Sequence, residues 1–140
     1  MPQDYFLRMI EQIAQMLAAI MALRKAGRNS EAIEQIAGAC QDHVGIPLEI
    51  VRRSSPETLR QFLEPGGALR YIRAVILAEL LMQDSAVQED HDKPRDALIA
   101  RAQAYALLSD ALPHLRPTEQ SIYRKQMELL CSSSGDKAWV

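Results

Sequence analysis

From Asp4 to Lys25 the chain reads DYFLRMIEQIAQMLAAIMALRK, and between Met16 and Leu23 it carries no polar side chain. Wound at 100° per residue, Phe6, Met9, Ile10, Ile13, Met16, Leu17, Ile20 and Leu23 share one side, the i, i+3, i+4, i+7 pattern of an amphipathic helix. Leu7, Ala14 and Met21, spaced by sevens, widen that side beyond the arc that rests on a single neighbour. Asp4, Arg8, Glu11, Gln12 and Gln15 hold the opposite side at first, but Ala18, Ala19 and Ala22 replace them further on. A helix apolar around so much of its circumference has to be covered from more than one direction, by its own chain or by a second copy.

The rest of the sequence divides into further helices. Gly27 follows Lys25 and suits a left-handed helix end, and the short turn Gly27-Arg28-Asn29 predicts an antiparallel return. Asn29 or Ser30 can cap the second helix, whose inner face reads Ile33, Ile36, Ala37 and Cys40 until His43 to Gly45 and Pro47 stop it. A helical turn from Pro47 to Arg53 precedes Ser55-Pro56-Glu57, a cap, a first-turn proline and an acid at the positive end of the dipole. That short helix turns Leu59, Phe62 and Leu63 inward and ends at Pro65-Gly66-Gly67. From Ala68 to Gln88 the main stripe is Leu69, Ile72, Ile76, Leu80 and Val87, with Val75, Leu77, Leu81 and Met82 outside it. This second enclosed helix is expected to pack against the first and to form the centre with it. After the charged loop Glu89 to Pro94, Leu98, Ala102, Tyr105, Leu108 and Leu112 mark one inner face, and Thr118 can cap a last helix carrying Ile122, Tyr123, Met127 and Leu130.

No period-2 alternation of β-branched residues occurs, so the expectation is an all-α fold of six or seven helices in antiparallel hairpins. We assign residues 1–131 to a single helical domain and expect 132–140 to be a disordered tail. The length suffices to bury a core without disulfide or metal.

The order helix, Gly27, Glu31-Ala32, Ala39 is similar to one tetratricopeptide unit, in which small residues let two helices approach closely. The usual aromatic and glycine of the first helix are missing, and Pro47 lies later than the usual closing proline. The segments QDYFLRMIEQIAQMLAAI, SEAIEQI, LAELLMQDSAV and ALIARAQAYALLSDAL together resemble an uncharacterised bacterial family of small, all-helical, tetratricopeptide-like proteins over roughly residues 3 to 112. The resemblance implies a fold and no established activity.

Composition and motifs exclude more than they assign. A net charge of −2 argues against nucleic acid, and the longest apolar run is far short of the ~20 residues needed to cross a bilayer. Without a recognisable secretory leader, and with only Cys40 and Cys131, a reduced cytoplasmic setting is expected. Glu89, Asp90, His91 and Asp92 could offer metal ligands, but no glycine lets that loop curl around an ion. Cys40 and His43 lie one turn apart and fall short of the three or four ligands of zinc, so Cys40 reads as core. No nucleophile elbow or marked carboxylate pair organises His43, His91 or His114, and we expect no enzyme and no cofactor.

Two surfaces remain. The surplus arc of the first helix, with Leu7, Met9, Met16, Ile20 and Met21, points to a protein–protein interaction module that forms a homodimer. The alternative is a small-molecule or phosphate-binding module in the basic region Arg52 to Arg73, using Arg52, Arg53, Arg70 and Tyr71.

Overall fold

The structure is a computed structural model that describes residues 2–134, with side chains within 8–131 apart from those at positions 10 and 68. The fold is all-α. Among the described residues seven α-helices succeed one another: α1 Pro2–Lys25, α2 Asn29–Ala39, α3 Leu48–Arg53, α4 Pro56–Leu63, α5 Arg70–Asp90, α6 Pro94–Ala111 and α7 Pro117–Ser134. The last helix therefore continues past the expected domain end at residue 131, and positions 135–140 lie outside the described residues.

The centre is α5. Ala74 through Leu81 are buried without a break over more than two turns, which requires neighbours on every side. Those neighbours are α1, α2, α4 and, most extensively, α6. The expected packing of α5 against α1 is present, but the expectation that the two share the centre is corrected: α6, not α1, is the main partner of α5. Among the described side chains of α1 only Ile13 and Ile20 are buried, while Met9, Met16, Leu17 and Leu23 flank them half-covered.

The α5–α6 contact explains why large apolar spacing pointed to the wrong face of α6. Its buried residues are Ala97, Ala100, Gln103, Ala104, Leu107, Leu108 and Ala111, whereas Ala102 and Tyr105 face solvent. Leu98 and Leu112 are only partly covered. Alanines on the inner face let two helix axes approach towards the short end of the usual 8–10 Å range. Here close approach, not side-chain bulk, fixes the orientation.

The connections follow local chemistry. Gly27 at φ 75° closes α1, with the Arg28 N–H donating to the Leu23 carbonyl at 2.9 Å. The expected side-chain cap of α2 is absent: Arg28 occupies that position without a cap bond, and its guanidinium pairs with Glu31 instead. A π-turn, Cys40–Val44, extends α2 until Gly45 at φ 82° ends it. Ser55 caps α4 as expected, accepting from the Thr58 N–H at 3.1 Å. Leu59 and Leu63 are buried but Phe62 is largely exposed, because α4 is too short and too peripheral to be covered beyond that two-residue stripe. A 3-10 segment, Glu64–Leu69, leads into α5. Asp92 at φ 59° turns the chain between α5 and α6. Thr118 lies inside α7 and is not its cap, and Glu119 reaches back to accept from the Arg116 N–H at 3.0 Å.

Candidate functional site

On α1 the buried pair Ile13 and Ile20 fixes which side looks out. Opposite them Glu11, Ala14, Gln15, Ala18, Met21, Ala22 and Lys25 are all exposed and fall within about 120° of arc at 100° per residue. Of the sequence-predicted interface residues, Met21 is on this open face at 41 % exposure. Met9 and Met16 are half-buried against the core, and the side chain of Leu7 lies outside those described. Ile20 is a correction: it is wholly buried within its own chain and anchors α1, so it offers nothing to a second copy. Ala14, Ala18 and Ala22, which are not among the predicted interface residues, make up three of the seven positions of the free face.

The basic middle of the chain is two places, not one patch. Arg52 on α3 forms a two-pronged pair with Asp84 on α5, at 3.0 and 2.7 Å, and Asp84 is buried. Arg70 begins α5, about 21 Å along the axis from Asp84 at 1.5 Å per residue. There Tyr71 stacks on His114, ring centres 3.7 Å apart and planes 7° from parallel. The Arg70 guanidinium carbon lies 4.7 Å from the Tyr71 ring centre, and Arg70 also donates to the Tyr71 hydroxyl. This stack lines an open cleft of about 520 Å³ with Arg60, which is ion-paired to Asp110. Two arginines face Asp110 and Glu64 there, so the cleft is close to charge balance and is not built as a phosphate site.

A second cleft, about 290 Å³, is lined by Arg52, Arg53, Lys93 and Asp96, with Ile99 and the buried Gln103 among its other walls. The Gln103 amide nitrogen donates to the Val51 carbonyl at 2.8 Å and the Ser54 carbonyl at 2.7 Å, so α6 closes the end of α3. Behind it Gln88 donates to Asp84 at 3.4 Å, and the Ser85 hydroxyl donates to the Ala97 carbonyl at 3.0 Å. Sequence reasoning missed Asp84 and Gln103, since a polar residue on a helix stripe reads as its solvent side. The signal available was Gln103 amid the Ala100, Ala104 and Leu107 spacing.

A third buried polar group is Glu79, in an apolar cavity of about 130 Å³ between α1, α5 and α7. Burial pushes its carboxyl above the ordinary range, opposed by a hydrogen bond from Gln126. Tyr123 in the same cavity is pushed up to about 12, first by burial and then by Glu79 and Glu119. The Gln126 Oε1 is buried without a hydrogen-bond donor. A protonated Glu79 can supply that donor while the Gln126 amide donates back, closing an acid–amide pair.

No family model, curated protein or solved structure matches this chain. The geometry alone therefore carries the functional reading. Cys40 is a free, buried thiol pushed up to about 12 by burial and then by Asp84, which makes it unreactive, while Cys131 is free and exposed. His43, His91 and His114 stand on separate parts of the fold: the π-turn, the α5–α6 turn and the segment before α7. Of the expected acidic loop, Glu89 and Asp90 instead end α5; Glu89 is ion-paired with Arg101, and Asp90, His91 and Asp92 are exposed. Among the described residues no three metal-ligating side chains converge, and no helix is long and apolar enough to cross a membrane.

Proposed function

We propose that this chain is a protein–protein interaction module that self-associates through α1. The observation that carries the reading is the symmetry of the free face. Set antiparallel about Ala18, one α1 brings its Ala14 against the other's Ala22 and its Gln15 against Met21. The same register sets Glu11 against Lys25 at both ends. The stripe Glu11, Ala14, Ala18, Met21, Lys25 has the three-then-four spacing of a coiled-coil seam, and its alanines suit close helix approach. A two-fold contact of this kind uses one patch twice, as most homodimers do.

In kinship the module is tetratricopeptide-like, a reading supported by the α1–α2 hairpin around Gly27. Two free thiols fit a reduced, cytoplasmic setting.

Light scattering coupled to gel filtration across a hundredfold dilution tests the proposal. The expected mass is that of a dimer, converted to monomer by Ala18→Glu or Met21→Glu, which alter only exposed positions. Glu11→Lys should weaken the dimer, and adding Lys25→Glu should restore it, because only the antiparallel register pairs these two positions. With Cys131→Ser in place, Ala18→Cys should cross-link on oxidation. A monomer at every concentration would sink the reading.

A further inference from the structure

The orientation of the Gln103 side chain is fixed, because only an amide nitrogen can donate to both the Val51 and Ser54 carbonyls. The oxygen is therefore the atom left over, and Gln103 Oε1 is buried with no hydrogen-bond donor in a side chain only 2 % exposed. Buried acceptors usually find a donor in the protein or in ordered water, and Gln103 lines the cleft, so its oxygen is an acceptor there that a ligand's donor would complete. Arg52 and Arg53 lie between the two carbonyls that Gln103 holds, so both cations spring from the turn that its amide nitrogen ties down, and all three residues line the cleft. Asp84 takes two N–H groups of Arg52, which leaves others of its five free to donate. Asp84 balances Arg52 and Asp96 balances one of Arg53 and Lys93, so the cleft keeps one positive charge in excess. Ile99, 45 % exposed, supplies an apolar wall.

We infer that this cleft binds a small carboxylic acid with a hydrogen-bond donor on its α-carbon, an α-amino or α-hydroxy acid with an apolar side chain. The carboxylate meets Arg53 and the spare N–H groups of Arg52, the α-donor meets Gln103 Oε1, and the side chain lies on Ile99. A space of about 290 Å³ accommodates such a molecule, and the adjacent origins of Arg52, Arg53 and the two carbonyls held by Gln103 favour a donor close to the carboxylate. This site is on the α3–α5–α6 side of the fold and does not depend on the α1 contact.

The test is a thermal-shift and calorimetric comparison of three isosteric compounds at about 10 mM: L-leucine, 2-hydroxy-4-methylpentanoate and 4-methylpentanoate. A ligand that binds only the native state raises the melting temperature with concentration. Leucine or the hydroxy acid should give a saturable rise and 4-methylpentanoate should not. A response to both assigns a neutral donor as sufficient, and a response to leucine alone adds Asp96 as the ammonium partner. Arg53→Ala, at an exposed position, should weaken binding at least tenfold. The inference is overturned if no compound shifts the transition, or if 4-methylpentanoate acts as strongly as leucine, since water would then serve Gln103.

Discussion

The inward alanine face of α6 can be tested by making the same substitution on neighbouring residues. Ala102 and Ala104 are 200° apart around the helix, the first exposed and the second wholly buried against α5. Enlarging a well-packed buried site typically costs 1–3 kcal/mol, and three added carbons at a close helix contact put Ala104→Leu at about 2 kcal/mol. Ala102→Leu should stay within about 0.5 kcal/mol, the usual range for surface changes. Tyr105→Ala, at 39 % exposure, should cost under about 1 kcal/mol, partly offset by the better helix propensity of alanine. With an unfolding entropy of about 2.1 cal/mol/K per residue, 1 kcal/mol moves the melting temperature of a chain this size by about 3 °C. Thermal and urea transitions followed by far-UV circular dichroism should therefore place Ala104→Leu about 7 °C below wild type and Ala102→Leu beside it. If Ala102→Leu were the damaging change, or if Tyr105→Ala cost the 3–5 kcal/mol of a core aromatic, α6 would be rolled onto its bulky stripe and the packing described above would be wrong.

Two further outcomes follow from buried titratable groups. Because burial raises the Glu79 pKa above its ordinary 4.5, the folded protein holds a proton that the unfolded chain releases first. The stability linked to Glu79 is therefore full below about pH 4.5 and is lost as pH rises through the raised folded value. Glu79→Gln should flatten this part of the curve, leaving the melting temperature little changed at pH 4 and raising it at pH 7. An unchanged pH profile would show that Glu79 is solvated. With an aromatic disulfide reagent, Cys131 should react promptly and Cys40 only on unfolding, so two fast thiols in native protein would contradict the burial of Cys40.

Helix existence was legible wherever a stop signal met a periodic run: Gly27 after Lys25, Ser55-Pro56 before Leu59, and Pro94 after the charged turn. Orientation was less so. Periodicity weights large side chains, and so it selected Leu98 and Tyr105 on a helix whose buried contacts are largely alanines. On α1 the same bias counted Ile20 as available surface and left Ala14, Ala18 and Ala22, which are exposed, out of the candidate interface. The basic region looked continuous because Arg52, Arg53, Arg70 and Tyr71 are near one another in sequence. A 3-10 segment and α4 separate them in space, and Asp84, more than thirty positions after Arg52, decides where one of them points. Such a pairing leaves no local trace in a single sequence.

The position of α5 also sets an order of events during synthesis. Its most extensive partner, α6, follows after a turn of three residues, so the two form a hairpin whose contacts are local and quick to make. The helices before it have no such partner at hand. As the N-terminus leaves the ribosome, α1 and α2 can meet each other, but Ile20 and Ile36 gain their full cover only when α5 has emerged, some fifty residues after Ile20. Until then the uncharged stretch from Met16 to Leu23 travels in the open, which makes the nascent chain, more than the finished protein, the form that needs protection from aggregation.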